Sequence, residues 1–149
     1  MNLYLDTSSL IKIYHFEKGS ERIKDFLKEF REDLVLTISK IAVIEMHSAF
    51  MKKARMKEID YKTAINLLEL FKKDLEIFNV ISLNEKAYDN AIDLINNYSQ
   101  YSNLRTLDSL QLSSAIISNA QFKVDLFSSS DNNLITIAKN YFNTVNFEN

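Results

Sequence analysis

Apolar residues follow two different spacings along this chain, and segments with the two spacings alternate. Short runs rich in apolar and β-branched residues predict buried strands, and longer segments with apolar residues three and four positions apart predict helices. The predicted strands cover residues 2–6, 34–39, 79–83, 124–129 and 144–147. The predicted helices cover residues 8–16, 20–33, 40–56, 85–97, 106–120 and 131–141, and one more begins at Asp60.

Polar residues at the boundaries support these helices. Ser20, Ser39 and Asn84 each stand where a helix is predicted to begin, and a short polar side chain there can accept a hydrogen bond from a free backbone amide. The sequence has one Gly and no Pro, so its turns must depend on Asn, Asp and Ser.

Strands that alternate with helices of this length indicate an α/β fold with a parallel sheet covered by helices on both faces. We expect four or five strands and one domain over residues 1–149, a length that suits a single hydrophobic core. Ligands of such sheets bind beyond the carboxyl ends of the strands. Asp6 ends the first predicted strand and Asp131 follows the fourth, so both are expected at that edge.

The composition limits the chemistry that the protein can perform. The sequence has no Cys, which excludes disulfides, thiolate metal sites and Cys nucleophiles. Its single Gly excludes the Gly-rich loops that bind phosphate. A formal charge of −2 argues against a protein that holds nucleic acid by electrostatics alone, since such proteins are usually basic. It permits an enzyme whose positive charge comes from a bound cation.

Other features of the sequence predict a cytoplasmic protein. Hydrophobic residues make up 46% of the chain and charged residues 26%, which are ordinary values for a globular domain. Asp6 interrupts the apolar stretch that a signal peptide would need. No uncharged run approaches the roughly 18 residues of a membrane span, so we expect no membrane contact.

Four acidic residues are candidates for a functional site: Asp6, Glu45, Asp108 and Asp131. Three of them also have a structural interpretation. Asp6 and Asp131 can cap a helix, and Asp108 lies in a first helical turn, where the helix dipole favours an anion.

Glu45 differs because it lies in the middle of its predicted helix. Its neighbours on the same face are apolar or small, namely Ile41, Ala42, Ser48 and Ala49. That face is expected to pack inward, and a buried carboxylate needs a partner because burial of an isolated charge is costly. A solvated position at the edge of the helix is the alternative.

If the four carboxylates converge, their repulsion requires compensation. Two carboxylates about 5–6 Å apart repel by roughly 3 kcal/mol at an effective dielectric constant near 20, and six pairs would total about 15–20 kcal/mol. That total exceeds the ~5–15 kcal/mol that stabilises a typical folded protein. Either some acids are protonated or divalent cations lie among them, and a ligand set of oxygen atoms suits Mg²⁺ or Mn²⁺.

The segments that contain these acids resemble the motif blocks of PIN-domain ribonucleases of the VapC toxin kind. The segments are LDTSSLIK, SKIAVIEMHSA, LRTLDSLQLSSAI and FSSSDNNLI. They occur in the order of that family, and the resemblance implies a three-layer α/β/α sandwich with a central parallel sheet. It also implies a catalytic quartet that binds Mg²⁺ or Mn²⁺ and consists of Asp6, Glu45, Asp108 and Asp131. Ser8 and Arg105 are expected to assist the quartet.

The same resemblance implies an activity and partners. The expected activity is metal-dependent endoribonuclease cleavage that leaves a 5′-phosphate and a 3′-hydroxyl, and the expected role is the toxin of a type II toxin–antitoxin pair. The expected partners are RNA as substrate, a cognate antitoxin that blocks the acids, and a second copy in a homodimer. Two alternatives stay open. One is a catalytically silent module of the same fold that binds RNA or protein, and the other is a PIN nuclease of RNA processing.

Basic residues near the end of the Glu45 helix have two interpretations. These residues are Lys52, Lys53, Arg55 and Lys57. They can be cations that favour the carboxyl end of a helix, or a track for RNA phosphates. His15 and His47 are expected to be structural or surface residues, since His47 lies about 200° round the helix from Glu45.

Overall fold

A computed structural model describes all 149 residues and contains one sheet of five parallel strands. The strands are β1 (Asn2–Leu5), β2 (Val35–Ser39), β3 (Asn79–Ile81), β4 (Leu126–Ser128) and β5 (Thr144–Val145). The helices are α1 (Thr7–Tyr14), α2 (Ser20–Glu29), α3 (Lys40–Arg55), α4 (Tyr61–Asp74), α5 (Glu85–Tyr98), α6 (Thr106–Gln121) and α7 (Asn132–Ala138). Every predicted strand and helix is therefore present, in the predicted order.

The order of the strands in the sheet is β3-β2-β1-β4-β5. Leu3 of β1 pairs with Leu36 of β2 on one side and with Leu126 of β4 on the other. The α/β class and the parallel sheet are thus confirmed, with β1 at the centre.

Both faces of the sheet are covered, because successive residues of a strand point to opposite faces. Leu3 and Leu5 belong to a core cluster that includes Leu10 of α1, Met46 and Phe50 of α3. Tyr4 belongs to a second cluster, formed with buried residues of α5, α6 and α7. Helices α1 to α4 therefore lie on one face and α5 to α7 on the other, which gives three layers.

Local interactions explain where most of the helices begin. The side chains of Ser39 and Asn84 accept hydrogen bonds from the amides of Ile41 and Ala87, so both are N-caps as predicted. The prediction for Ser20 is wrong. Ser20 is the first residue of α2, and its hydroxyl accepts from the Glu17 amide and donates to the His15 carbonyl.

Gly19 precedes α2 in the left-handed region, at a φ of 90°. A Cβ at this position would lie 2.9 Å from the carbonyl oxygen of Phe147, which is closer than side-chain carbons approach. The only Gly of the sequence thus stands where both the backbone angle and a close contact require it.

Helix α2 ends at Glu29, four residues before its predicted end at Asp33. The chain must turn there to bring β2 beside β1. The amide of Val35 donates to the carbonyl of Met1, and the amide of Asp33 closes a turn on Phe30. Pairing with a distant strand therefore overrides the local helical pattern.

No helix here combines the length and the apolar character that a membrane span requires.

The order of the strands creates a crevice between β1 and β4. From β1 the chain proceeds to β2 on one side, and from β4 it proceeds to β5 on the other side. Connections that diverge from two adjacent strands leave an opening at their carboxyl ends, where open α/β sheets bind ligands. Asp6 directly follows β1, and residues 129–131 follow β4.

Candidate active site

Asp6 lies at the carboxyl end of β1, beside this crevice, and is 6% exposed. Its backbone amide continues the sheet by donating to Ser128, and its Oδ1 caps α1 by accepting from the Ser9 amide at 3.0 Å. The Ser8 hydroxyl also donates to Oδ1 at 2.6 Å, and the Ser129 hydroxyl donates to Oδ2 at 2.7 Å. Both oxygens of this carboxylate are therefore held by the protein.

The environment of Asp6 changes its acidity. Burial raises the pKa of the Asp6 carboxyl to about 6, although the hydrogen bonds from Ser8, Ser129 and Ser9 act in the opposite direction. The negative charge of Glu45 raises the pKa further. The protein thus holds a desolvated carboxylate that would be stabilised by positive charge.

Glu45 is half-buried, and α3 directs its side chain towards α1 and α6. Its Oε2 accepts a hydrogen bond of 2.6 Å from the Thr7 hydroxyl and another of 2.6 Å from Nε2 of Gln111. Two neutral donors therefore satisfy one oxygen of this partly exposed carboxylate.

Asp108 and Asp131 share one guanidinium group. Nε of Arg105 donates to Oδ2 of Asp108 at 3.0 Å, and Nη2 of Arg105 donates to Oδ2 of Asp131 at 3.3 Å. Asp131 also caps α7, because its Oδ1 accepts from the amides of Asn133 and Leu134. The side chain of Arg105 is 66% exposed, so water weakens these ion pairs.

Serine side chains link the two halves of the site. The Ser129 hydroxyl donates to Asp6 and accepts from the backbone amide of Asp131 at 3.0 Å. The Ser8 hydroxyl donates to Asp6 and accepts from the backbone amide of Ser130 at 2.8 Å. Hydrogen bonds and ion pairs thus connect Asp6 to Asp131 and, through Arg105, to Asp108. Glu45 joins the same region through Thr7, the neighbour of Asp6.

The donor atoms of the site suit a hard divalent cation. The four acids contribute only oxygen, which is the chemistry that Mg²⁺ and Mn²⁺ prefer. The arrangement as it stands has no group of three acidic or His side chains close enough together to hold a metal ion. Arg105 provides the positive charge between Asp108 and Asp131, and its side chain is mostly exposed.

Three polar residues of the site were not predicted. Thr7, Gln111 and Ser129 each hydrogen-bond to one of the four acids. Gln111 lies three residues after Asp108 on α6, so it shares a helix face with that acid, and this spacing is the signal that could have identified it. Thr7 and Ser129 carried no comparable signal beyond their proximity to Asp6 and Asp131.

The basic cluster lies away from the acids. Helix α3 begins at the carboxyl edge of the sheet and runs away from it, so Arg55 is about 15 Å along the helix axis from Glu45. Lys53 is engaged in ion pairs with Glu17 and Glu58. His47 is exposed and bonds only to the Val43 carbonyl, while the ring of His15 packs against Phe50.

Comparison with known proteins gives a family and a set of similar folds. A family model for the PIN domain matches residues 3–140. No curated protein sequence matches the chain. Among solved structures, the chain is similar to VapBC2 from Rickettsia felis bound to a DNA fragment from its promoter, with 19% identity, 98% of both chains covered and a TM-score of 0.70.

Two further structures have the same fold. FitAcB from Neisseria gonorrhoeae is similar at 16% identity, with 97% of both chains covered and a TM-score of 0.70. VapC20 from Mycobacterium tuberculosis, described as a toxin that cleaves the sarcin–ricin loop, is similar at 10% identity. That match covers 90% of this chain and 93% of the other, with a TM-score of 0.65.

Proposed function

The chain belongs to the PIN-domain family, and from that premise we propose that it is an Mg²⁺- or Mn²⁺-dependent endoribonuclease. PIN domains are typically nucleases. The observation that supports the proposal is a set of hydrogen bonds and ion pairs that links the surroundings of four acids, distant in sequence, beyond the carboxyl ends of β1 and β4. One of them is desolvated and two are bridged by a guanidinium group, which indicates a site built to receive positive charge.

Each acid has a distinct part in the proposed mechanism. A divalent cation bound here supplies polarisation of the phosphodiester and a lower pKa for an attacking water. Asp6 and Asp108 would hold the cation, and Asp131 would complete the set of ligands. Glu45 uses the carboxylate oxygen that is not bonded to Thr7 and Gln111 to orient the water and accept its proton. Ser8 keeps the Asp6 carboxylate in place.

Arg105 has two positions in this proposal. In the structure it pairs with both Asp108 and Asp131. With Asp108 and Asp131 engaged by a cation, the exposed guanidinium would have its planar set of donors available for the oxygens of an RNA phosphate.

We also propose that the protein is the toxin of a type II toxin–antitoxin pair. The similar structures include VapBC2 and FitAcB as well as the toxin VapC20, and they match this chain over nearly its whole length. The proposed partners are RNA, an antitoxin that covers the acidic crevice, and a second copy in a homodimer.

The Asp6→Asn variant tests the nuclease proposal. We expect the purified wild-type protein to cleave RNA in the presence of Mn²⁺ or Mg²⁺ and to stop when EDTA is added, and we expect Asp6→Asn to show no cleavage. Asp60→Asn is the matched control, because Asp60 also caps a helix, by accepting from the Thr63 amide at 2.6 Å, but lies outside the site.

Two results would contradict the proposal. One is full cleavage by Asp6→Asn, and the other is cleavage that EDTA leaves unchanged.

The toxin role has its own measurement. Induced expression in bacterial cells should arrest growth for the wild type and not for Asp6→Asn. Cleavage in vitro without growth arrest would refute the toxin role and leave the nuclease assignment standing.

A further inference from the structure

We propose that Gln111 is a positioning residue, whose buried amide fixes one carboxylate oxygen of Glu45 and leaves the other oxygen to face the cation. This inference rests on the proposed metal-dependent function. It assigns a role to a residue that is not acidic and that belongs to the core of the protein.

The amide of Gln111 has a partner for each of its hydrogen-bonding atoms. Gln111 is 3% exposed and lies on α6, with side-chain hydrogen bonds to Tyr4 of β1 and Glu45 of α3. Its Nε2 donates to Oε2 of Glu45 at 2.6 Å and to the Thr7 hydroxyl at 3.0 Å. Its Oε1 and its backbone carbonyl both accept from the hydroxyl of Tyr4, at 3.1 Å and 3.0 Å. A primary amide has two N–H donors and one carbonyl acceptor, so none is left unpaired.

These partners allow only one orientation of the amide. If the amide were turned by 180°, its oxygen would face Oε2 of Glu45, and two acceptors would then oppose each other. An ionised carboxylate can only accept hydrogen bonds, so the NH₂ group must face Glu45. The Tyr4 hydroxyl, which is fully buried at the centre of the sheet, provides the matching donor on the other side.

Thr7 closes the arrangement around Glu45. Its hydroxyl accepts from Gln111 and donates to the same Oε2 of Glu45. Oε2 thus receives two charge-assisted hydrogen bonds, whereas Oε1 receives none from the protein. Two donors on one oxygen restrict the rotation of the carboxylate and leave Oε1 without a donor from the protein.

A role in packing alone does not account for this residue. An apolar side chain of similar size at position 111 would fill the same space and would avoid the cost of burying an amide. The polar connection runs from the core at Tyr4 to Glu45, which, like Asp6, takes part in none of the ion pairs of the protein. A residue that orients a metal-binding carboxylate does so by hydrogen-bonding to the carboxylate oxygen that does not contact the metal, and Gln111 has this arrangement.

The test is a measurement of Mn²⁺ binding to the full chain without RNA, by calorimetry or by the loss of the free Mn²⁺ resonance signal. Gln111→Met keeps the volume and removes both donors. We expect it to weaken Mn²⁺ binding about tenfold, the lower end of the usual effect of losing such a partner. Binding within about twofold of the wild type would overturn the inference.

Two other variants separate positioning from stability. Ser113→Ala is the control on the same helix, because the buried Ser113 hydroxyl donates to the Ala87 carbonyl on α5, away from the acids. It is expected to leave Mn²⁺ binding unchanged. If Ser113→Ala weakened binding as much as Gln111→Met, the effect would be one of general destabilisation and the inference would fail.

Tyr4→Phe tests the same inference if Gln111→Met does not fold. It retains both N–H donors of Gln111 but removes the donor that fixes the amide oxygen. We expect Mn²⁺ binding to weaken by about threefold, a smaller effect in the same direction, as for the loss of one neutral hydrogen bond. An unchanged affinity in Tyr4→Phe would contradict the inference.

A double-mutant comparison links the effect to Glu45. Glu45→Gln alone should weaken Mn²⁺ binding, and adding Gln111→Met to it should then have no further effect, because Gln111 acts through Glu45. An additive loss would overturn the inference. If the wild type binds no Mn²⁺, or Glu45→Gln binds it unchanged, the proposed metal site itself fails. Failure of the Gln111 effect alone leaves that site intact.

Discussion

The buried carboxyl of Asp6 connects the stability of the protein to pH. Its pKa of about 6 in the folded protein lies above the value of about 3.9 for an exposed Asp, so the folded state binds the proton more tightly than the unfolded state. Stability contributed by the protonated form is therefore present below pH 4 and is lost as the pH rises through 6. The direction is opposite to that of an Asp in a salt bridge.

Asp6→Asn should remove this dependence, because the amide carries no charge. In EDTA, we expect its free energy of unfolding to exceed that of the wild type by up to about 3 kcal/mol at pH 7, with the difference shrinking towards pH 4. Urea denaturation of both proteins across this range measures it. A difference that stays constant with pH would show that Asp6 does not titrate as proposed.

Single residues of the site also combine two roles that the sequence presents as alternatives. Asp6 and Asp131 each cap a helix with Oδ1. Oδ2 accepts from the Ser129 hydroxyl in Asp6 and from Arg105 in Asp131. A cap thus requires only one oxygen of each carboxylate. The structural and functional interpretations of these acids are therefore compatible.

At the level of helices, Asp131 and Asn84 provide a matched pair of caps. Asp131 caps α7 at the crevice, and Asn84 caps α5, with the Ala87 amide donating to its side chain at 3.0 Å. Replacing either residue with Ala should cost about 1 kcal/mol of stability, the usual cost of losing a cap. Only Asp131→Ala should lose RNA cleavage, since only Asp131 lies beside Arg105 and Asp108.

Thermal unfolding and cleavage rates, measured on the same preparations, distinguish these two losses. Equal cleavage by the two Ala variants would place Asp131 among purely structural residues. A loss of cleavage in Asn84→Ala as well would instead show that weakening any helix start disturbs the site.

In the molecule as a whole, the direction of α3 separates the basic cluster from the acids. Lys52 and Arg55 are exposed and lie about 10 and 15 Å along the axis from Glu45, beyond the screening length of about 8 Å at physiological salt. Changing both to Glu should therefore leave the KM for RNA and its salt dependence unchanged.

Lys40 is also exposed, but it is the first residue of α3 and lies at the carboxyl edge of the sheet, so Lys40→Glu should raise the KM for RNA.

Steady-state cleavage at several salt concentrations measures both variants. A higher KM with a flatter salt dependence in the Lys52 and Arg55 double variant would identify the cluster as an RNA track after all. No change in Lys40→Glu would show that the amino end of α3 does not face the substrate.

Much of the fold was predictable because it depends on short stretches of sequence. The apolar spacing determines whether a segment is a strand or a helix, and residues such as Ser39 and Asn84 act on amides only a few positions away. The alternation of the two kinds of segment then leads to the α/β class. Interactions of this local kind can be recognised without knowing what lies beside them.

The partners of the acids could not be predicted, because they come from distant parts of the chain. Gln111 meets Glu45 across 66 positions, and Ser129 meets Asp6 across 123. Local reasoning placed the end of α2 at Asp33 and the cap at Ser20, whereas the pairing of β2 with β1 and the approach of Phe147 to Gly19 determine the real geometry. Strand order decides which carboxyl ends are neighbours, and it depends on contacts that no segment makes by itself. The acids are therefore visible in the sequence, but the side chains that bond to them are decided only by the folded chain.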